Sequence, residues 1–137
     1  MSQSEINVVV VDDDESFARS LERLFRASGL LVRTCPSAEA YLAEPTRSHP
    51  DCLVLDIHLG GMSGLELQFK LRERGDFTPV IFVTAHDAPE AREEAKRGGC
   101  SDYFQKPVAG KKIIEAVRKA LSQSNGDSGN RAACWSD

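Results

Sequence analysis

Long apolar runs, paired cysteines and an excess of basic charge are all missing from this chain, and each absence removes a class of function. The apolar runs, such as VVVV at Val8 to Val11 and VIFV at Val80 to Val83, fall far short of the roughly 18 residues a membrane-spanning helix needs. The first residues, MSQSEIN, have no basic stretch leading into an apolar core, so no secretory signal is read there and a cytoplasmic, non-membrane protein is expected. Four cysteines are present, Cys35, Cys52, Cys100 and Cys134, without a CxxC spacing. Three sit in or beside apolar segments, so buried thiols are expected rather than zinc ligands or disulfides. With 17 basic against 21 acidic residues and a net charge of −4, the segment has no diffuse basic surface, which argues against direct nucleic-acid binding.

What remains suits one globular domain: 137 residues with 41% hydrophobic content can bury a real core, and a second domain has no room. The apolar runs alternate with helix-like stretches. Ile6 to Val11, Leu30 to Cys35, Leu53 to Asp56, Val80 to Thr84 and Tyr103 to Gln105 read as strands. Ser16 to Ser28 reads as a helix whose Phe17, Leu21, Leu24 and Phe25 share one face and which ends at Gly29, and Ser37 caps a short helix to Ala43. Pro45 to Pro50 reads as a loop. LELQFKL, from Leu65 to Leu71, alternates like a strand, but it has no β-branched residue and is rich in helix formers, so a helix is predicted. Pro89 to Arg97 is predicted helical with only Ala91 and Ala95 as apolar anchors, and Lys111 to Leu121 forms the last helix. Residues 1–121 are thus expected to form the domain. Ser122 to Asp137, small and polar apart from Cys134 and Trp135, is expected to be a flexible tail or linker.

Apolar strands separated by helices make a parallel sheet with helices on both faces, and such sheets place their sites beyond the carboxyl ends of the strands. Four polar signals stand at those ends: Asp12-Asp13 after VVVV, Asp56 after CLVL, Thr84 after VIFV, and Lys106-Pro107 after DYFQ. Crowded carboxylates repel one another unless a cation neutralises them. Mg²⁺ is the expected cation, being bound commonly through one or two carboxylates plus phosphate oxygens. A carboxylate can also act as a nucleophile toward a phosphoryl group, while an ammonium group and a hydroxyl serve the phosphoryl oxygens. Asp14 is expected to cap the following helix.

From about Asn7 to Leu121 the chain resembles the receiver domains of two-component response regulators, the CheY-like family. The resemblance is carried by the acidic pair, the central Asp56, Thr84-Ala85 and Lys106-Pro107, with MSG at Met62 to Gly64 and SDYFQKP at Ser101 to Pro107 as supporting segments. The first stretch, VVVVDDDESFARSLERLFRASGLLVRTCPSAEAYL, is most similar to receivers of the nitrogen-fixation-regulator type. The resemblance implies a doubly wound, flavodoxin-like α/β fold with five parallel strands in the order 2-1-3-4-5. It implies that Asp56 accepts a phosphoryl group from a sensor histidine kinase or a phosphotransfer protein. Asp13 and Asp56 would ligate Mg²⁺ with the backbone carbonyl of His58, while Asp12 mainly holds a metal-bound water. Thr84 and Lys106 would serve the phosphoryl oxygens, small Ala85 would leave room for the donor, and a cis peptide is implied before Pro107. Tyr103 would change rotamer as Thr84 moves. The weakly anchored fourth helix, the fifth strand and the fifth helix are the expected output face, for a phosphorylation-dependent homodimer or for a partner. The chain departs from the family at Gly60, where a proline is usual.

Rival readings are an aspartyl-phosphate phosphatase, an FMN-binding module and a pseudo-receiver that serves only as a scaffold. The first wants a second aspartate two residues after the nucleophile, where this chain has His58. The second wants a Ser/Thr/Gly loop after the first strand, where DDDES would repel phosphate. The third does not account for a complete set of site residues. The expectation is therefore a signalling switch that catalyses only its own phosphotransfer and dephosphorylation, not an enzyme acting on other substrates.

Overall fold

The computed structural model describes residues 5–44 and 49–126. Ten elements alternate along the chain: β1(Asn7–Val11), α1(Glu15–Ala27), β2(Leu31–Cys35), α2(Ala38–Ala43), β3(Cys52–Leu55), α3(Gly64–Glu73), β4(Val80–Thr84), α4(Pro89–Arg97), β5(Asp102–Gln105) and α5(Gly110–Gly126). All neighbouring strands pair in parallel, in the order β2-β1-β3-β4-β5.

The strand alternation sorts the core into two layers, because successive side chains point to opposite faces of a sheet. Val9, Val11, Leu53, Leu55 and Phe82 pack against Ala38 of α2, Leu67 and Leu71 of α3, and Ala95 of α4. Val8, Val10, Cys52, Val54, Ile81 and Val83 pack against Ala18, Leu21 and Phe25 of α1 and Ile113, Ile114 and Val117 of α5. Covered on both faces, β1, β3 and β4 have to be apolar at nearly every position. The edge strand β2 is free of that requirement and exposes Leu31, Arg33 and Thr34.

Local chemistry fixes the helix starts. The Asp14 carboxylate caps α1 by accepting the Phe17 N–H at 3.2 Å, and Ser37 caps α2. The Ser63 hydroxyl and the Glu66 carboxylate close a reciprocal capping box on α3, which settles the alternating LELQFKL segment as a helix. Of its two predicted i,i+4 pairs, Leu67/Leu71 is buried. Phe69 of the Leu65/Phe69 pair stands 65% exposed, and Gln68 is buried instead. The last helix runs five residues beyond Leu121, the end expected from the sequence. SQSNG lacks the proline or early glycine that stops a helix, and polar residues of modest propensity each cost only a few tenths of a kcal/mol.

Cys35, Cys52 and Cys100 are buried thiols, as expected. Burial pushes the Cys35 and Cys52 pKa values up to about 12, which leaves both unreactive. Cys134 and Trp135 lie outside the described residues, as does most of the Pro45 to Pro50 loop. No helix among the described residues is long and apolar enough to cross a membrane.

Candidate functional site

Each polar signal leaves its strand at the same edge of the sheet. The β1–β3 pairing puts Val11 beside Leu55, so Asp12 and Asp56, the next residues along, emerge together. Oxygen atoms of Asp12, Asp13 and Asp56 lie within 4.8 Å of one another. Asp12 and Asp56 are buried, at 4% and 6% exposure, while Asp13 is exposed at the rim. Backbone donors fix the two buried carboxylates: Asp12 Oδ1 accepts the Asp14 N–H at 2.9 Å, and Asp56 Oδ1 accepts the His58 N–H at 3.2 Å. An all-oxygen cluster of this kind suits a hard divalent cation.

Lys106 arrives from the end of β5, its backbone N–H held by Thr84 O at 2.7 Å and its peptide bond to Pro107 cis. The ammonium group stands 3.0 Å from Asp12 Oδ2 and 3.6 Å from Asp56 Oδ2. Burial alone would lower the Lys106 pKa, but the hydrogen bond and charge of Asp12, with Asp56 behind it, raise it. Lys106 is therefore a fixed cation at neutral pH.

Asp12 is shifted upward. Burial is the main cause, and the charge of Asp56 adds to it, against the hydrogen bonds from Asp14 and Lys106. A carboxyl whose folded pKa lies above its unfolded value binds more protons when folded, so its contribution to stability falls as pH rises through the interval between the two. Ionised Asp12 is thus a destabilising group at neutral pH. Asp12→Asn is expected to raise the melting temperature by a few degrees in metal-free buffer at pH 7 and to flatten the loss of stability above about pH 4. Scanning calorimetry of both proteins between pH 4 and 7 checks this. A lower melting temperature for the variant would show that the ion pair with Lys106 outweighs desolvation.

The other expected residues are engaged in contacts of their own. Thr84 is fully buried, and its hydroxyl is engaged with its own loop, accepting the His86 N–H at 3.2 Å. Tyr103 is turned inward, 4% exposed, its ring 6.3 Å from that of Phe82 and 4.6 Å from the Arg92 guanidinium. Burial, with Asp87 next, raises its pKa to about 12, and Arg92 is in turn paired with Asp87 at 3.2 Å. The rings of His58 and His86, both exposed residues in loops that follow site residues, meet edge to face at 5.1 Å. Gly60 is outside the left-handed region, and a Cβ there would meet open space. The loop geometry therefore does not demand glycine at this position.

Sequence reasoning missed two participants. The Glu39 carboxylate accepts the Met62 N–H at 2.8 Å, which lowers its pKa and ties α2 to the β3–α3 loop. Phe17, assigned to the core face of α1, lies with its ring 4.2 Å from Lys106 Nζ. Neither contact leaves a local trace in the chain.

The model of the response regulator receiver domain matches residues 8–118. Nodulation protein W of Bradyrhizobium diazoefficiens is 39% identical over 116 residues, covering 85% of this chain and 51% of that protein. The transcriptional regulatory protein FixJ of Azorhizobium caulinodans is 38% identical over 117 residues, covering 85% and 56%. The crystal structure titled FixJ-N superposes with a TM-score of 0.79 at 32% identity, covering 88% of this chain and 96% of that one. The chain spans about half the length of the curated relatives it matches.

Proposed function

Because the chain belongs to the response regulator receiver domain family, we propose that it is a phosphorylation-controlled switch whose phosphoacceptor is Asp56. The observation that carries this reading is the placement of the Asp56 carboxylate: buried, oriented by the His58 N–H, and close to both the Lys106 ammonium group and two further carboxylates. An Asp56 oxygen attacks phosphorus, and the bond to the donor nitrogen of a phosphohistidine on a sensor kinase or phosphotransfer protein breaks. The donor keeps that electron pair and returns as a neutral imidazole once protonated. Lys106 offsets charge on the phosphoryl oxygens, and Thr84 exchanges its contact with the His86 backbone for one of those oxygens. Catalysis here is positioning and charge neutralisation.

The oxygen-only donor set fits Mg²⁺. Asp13, Asp56 and the His58 carbonyl would hold it directly, and Asp12 through a water. When bound, the ion supplies charge neutralisation that lets carboxylates and phosphoryl oxygens share one pocket.

Output follows from a shift between two conformations in the cytoplasm. Moving such an equilibrium from mostly inactive to mostly active takes about 5.5 kcal/mol of differential stabilisation. The face formed by α4, β5 and α5 is the proposed surface, for a partner or for a phosphorylation-dependent homodimer. Ala95 is the only buried residue of α4, so that helix can move at low cost.

The test is intact-mass spectrometry after incubation with acetyl phosphate. One phosphoryl adduct per chain is expected with Mg²⁺, and none when EDTA removes it. Uptake that persists in EDTA, or no uptake at all, contradicts the proposal.

A further inference from the structure

Lys106 is held from two sides, and only one of them is charged. Asp12 and Asp56 contact its ammonium group at 3.0 and 3.6 Å, while the face of Phe17 lies 4.2 Å away. We propose that Phe17 is a positioning residue for Lys106, its ring acting as the uncharged seat that keeps the ammonium group over Asp56 while the charges around it change. The proposal rests on the phosphoacceptor reading of Asp56 and extends it to a residue of α1.

Both partners are anchored by backbone contacts, so their approach is built into the fold. Phe17 occupies the third position of α1, where its N–H is bound by the Asp14 cap. Lys106 is pinned at the end of β5 through its N–H to Thr84 O. The Lys106 side chain is only 14% exposed, and a cation–π contact gains strength as water is excluded. The two carboxylates are unreliable seats in the proposed reaction. Asp56 loses its charge to the new acyl-phosphate bond, and Asp12 belongs to the cation cluster. The negative face of the ring stays constant throughout, and it does not compete with a phosphoryl group for proton donors as a third carboxylate would.

The packing role of Phe17 is separable from this one. A leucine at position 17 fills much of the same half-buried space without a π-face, whereas tryptophan offers a stronger one. Phe17→Leu is expected to slow phosphorylation by acetyl phosphate about three- to tenfold, the span of one partly desolvated cation–π contact. Phe17→Trp should retain most of the rate. The effect should also vanish where its target is gone, so Phe17→Leu added to Lys106→Ala should cause no further slowing. A packing defect would instead slow the reaction equally in both backgrounds.

An independent readout is the proton spectrum of Lys106 in the unphosphorylated protein. Its ε-methylene protons, next to the nitrogen that stands 4.2 Å from the ring centre, should resonate upfield in the natural chain and return to the ordinary lysine position in Phe17→Leu. Unshifted methylene protons, an unchanged rate in Phe17→Leu, or equal slowing in both backgrounds each overturn the proposal. A natural chain that never reacts overturns the phosphoacceptor reading and this role with it. A natural chain that reacts, with Phe17→Leu as fast, overturns this role alone.

Discussion

Asparagine at position 56 is expected to take up no phosphoryl group from acetyl phosphate and Mg²⁺ under conditions where the natural chain takes one. A carboxamide has no oxygen nucleophile of comparable strength and cannot form an acyl phosphate. The variant should nevertheless fold. Asparagine has nearly the same shape as aspartate, and its carbonyl oxygen can still accept the His58 N–H that Asp56 Oδ1 accepts at 3.2 Å. Lys106 keeps its closer partner, Asp12, at 3.0 Å. Asp12 also loses a neighbour that raises its pKa, so stability without metal should hold or increase. Complete loss of uptake with an undiminished melting temperature separates loss of the nucleophile from loss of the fold. An adduct that survives in the variant would move the acceptor elsewhere.

Gly64→Ala is expected to damage both fold and chemistry, although alanine is ordinarily the better helix residue by about 1 kcal/mol. Gly64 is the first residue of α3, and its N–H donates to Ile57 O at 3.0 Å. A Cβ there would lie 2.1 Å from the backbone oxygen of Asp56 and 3.2 Å from Ile57 Cα. Backbone cannot swing aside as a flexible side chain can, so α3 or the Asp56 segment has to shift. Overpacking of this kind costs about 1–3 kcal/mol, and a displacement near 1 Å at a reacting group can slow a reaction on the order of a hundredfold. Denaturant unfolding and the acetyl phosphate rate measure the two effects. Gly60→Ala is the matched control, since a Cβ at Gly60 meets nothing within 4 Å. It should leave both nearly unchanged. A Gly64→Ala protein as stable and as fast as the natural chain would contradict the close approach of α3 to Asp56.

The same packing explains what could be read from the chain and what could not. Strands covered by helices on both faces must be apolar at successive positions, so VVVV, CLVL and VIFV announce themselves, and a polar residue directly after each marks the sheet edge where a site forms. Asp12 and Asp56 were legible for that reason, as was Thr84 at the end of its own strand, whereas Lys106 follows the half-exposed edge strand DYFQ and was legible only through the Lys106-Pro107 pair. LELQFKL was ambiguous because its two buried leucines, Leu67 and Leu71, fit either period; the capping box between Ser63 and Glu66 is the local signal that resolves it. The burial of Gln68 was invisible, because it depends on α4 presenting Gly98, whose missing side chain leaves the space that Gln68 fills. Phe17 does pack against the core with Leu24, but its second contact was invisible for a related reason. Its spacing from Leu21, Leu24 and Phe25 is that of a core face, and nothing near it in sequence signals a lysine that β5 delivers to the same spot. The cage of Asp87 and Arg92 around Tyr103 likewise joins a loop, α4 and β5, three segments whose juxtaposition only the fold decides.

The central claim is that Asp56, among three neighbouring carboxylates, is the one that carries the phosphoryl group. Borohydride reduces an acyl phosphate to the alcohol, converting a phosphorylated aspartate to homoserine, and peptide mass mapping then locates the change. After treatment with acetyl phosphate and Mg²⁺, homoserine is expected at position 56 and nowhere else. Homoserine at Asp12 or Asp13, or no conversion in a chain that has gained a phosphoryl group, would contradict the account.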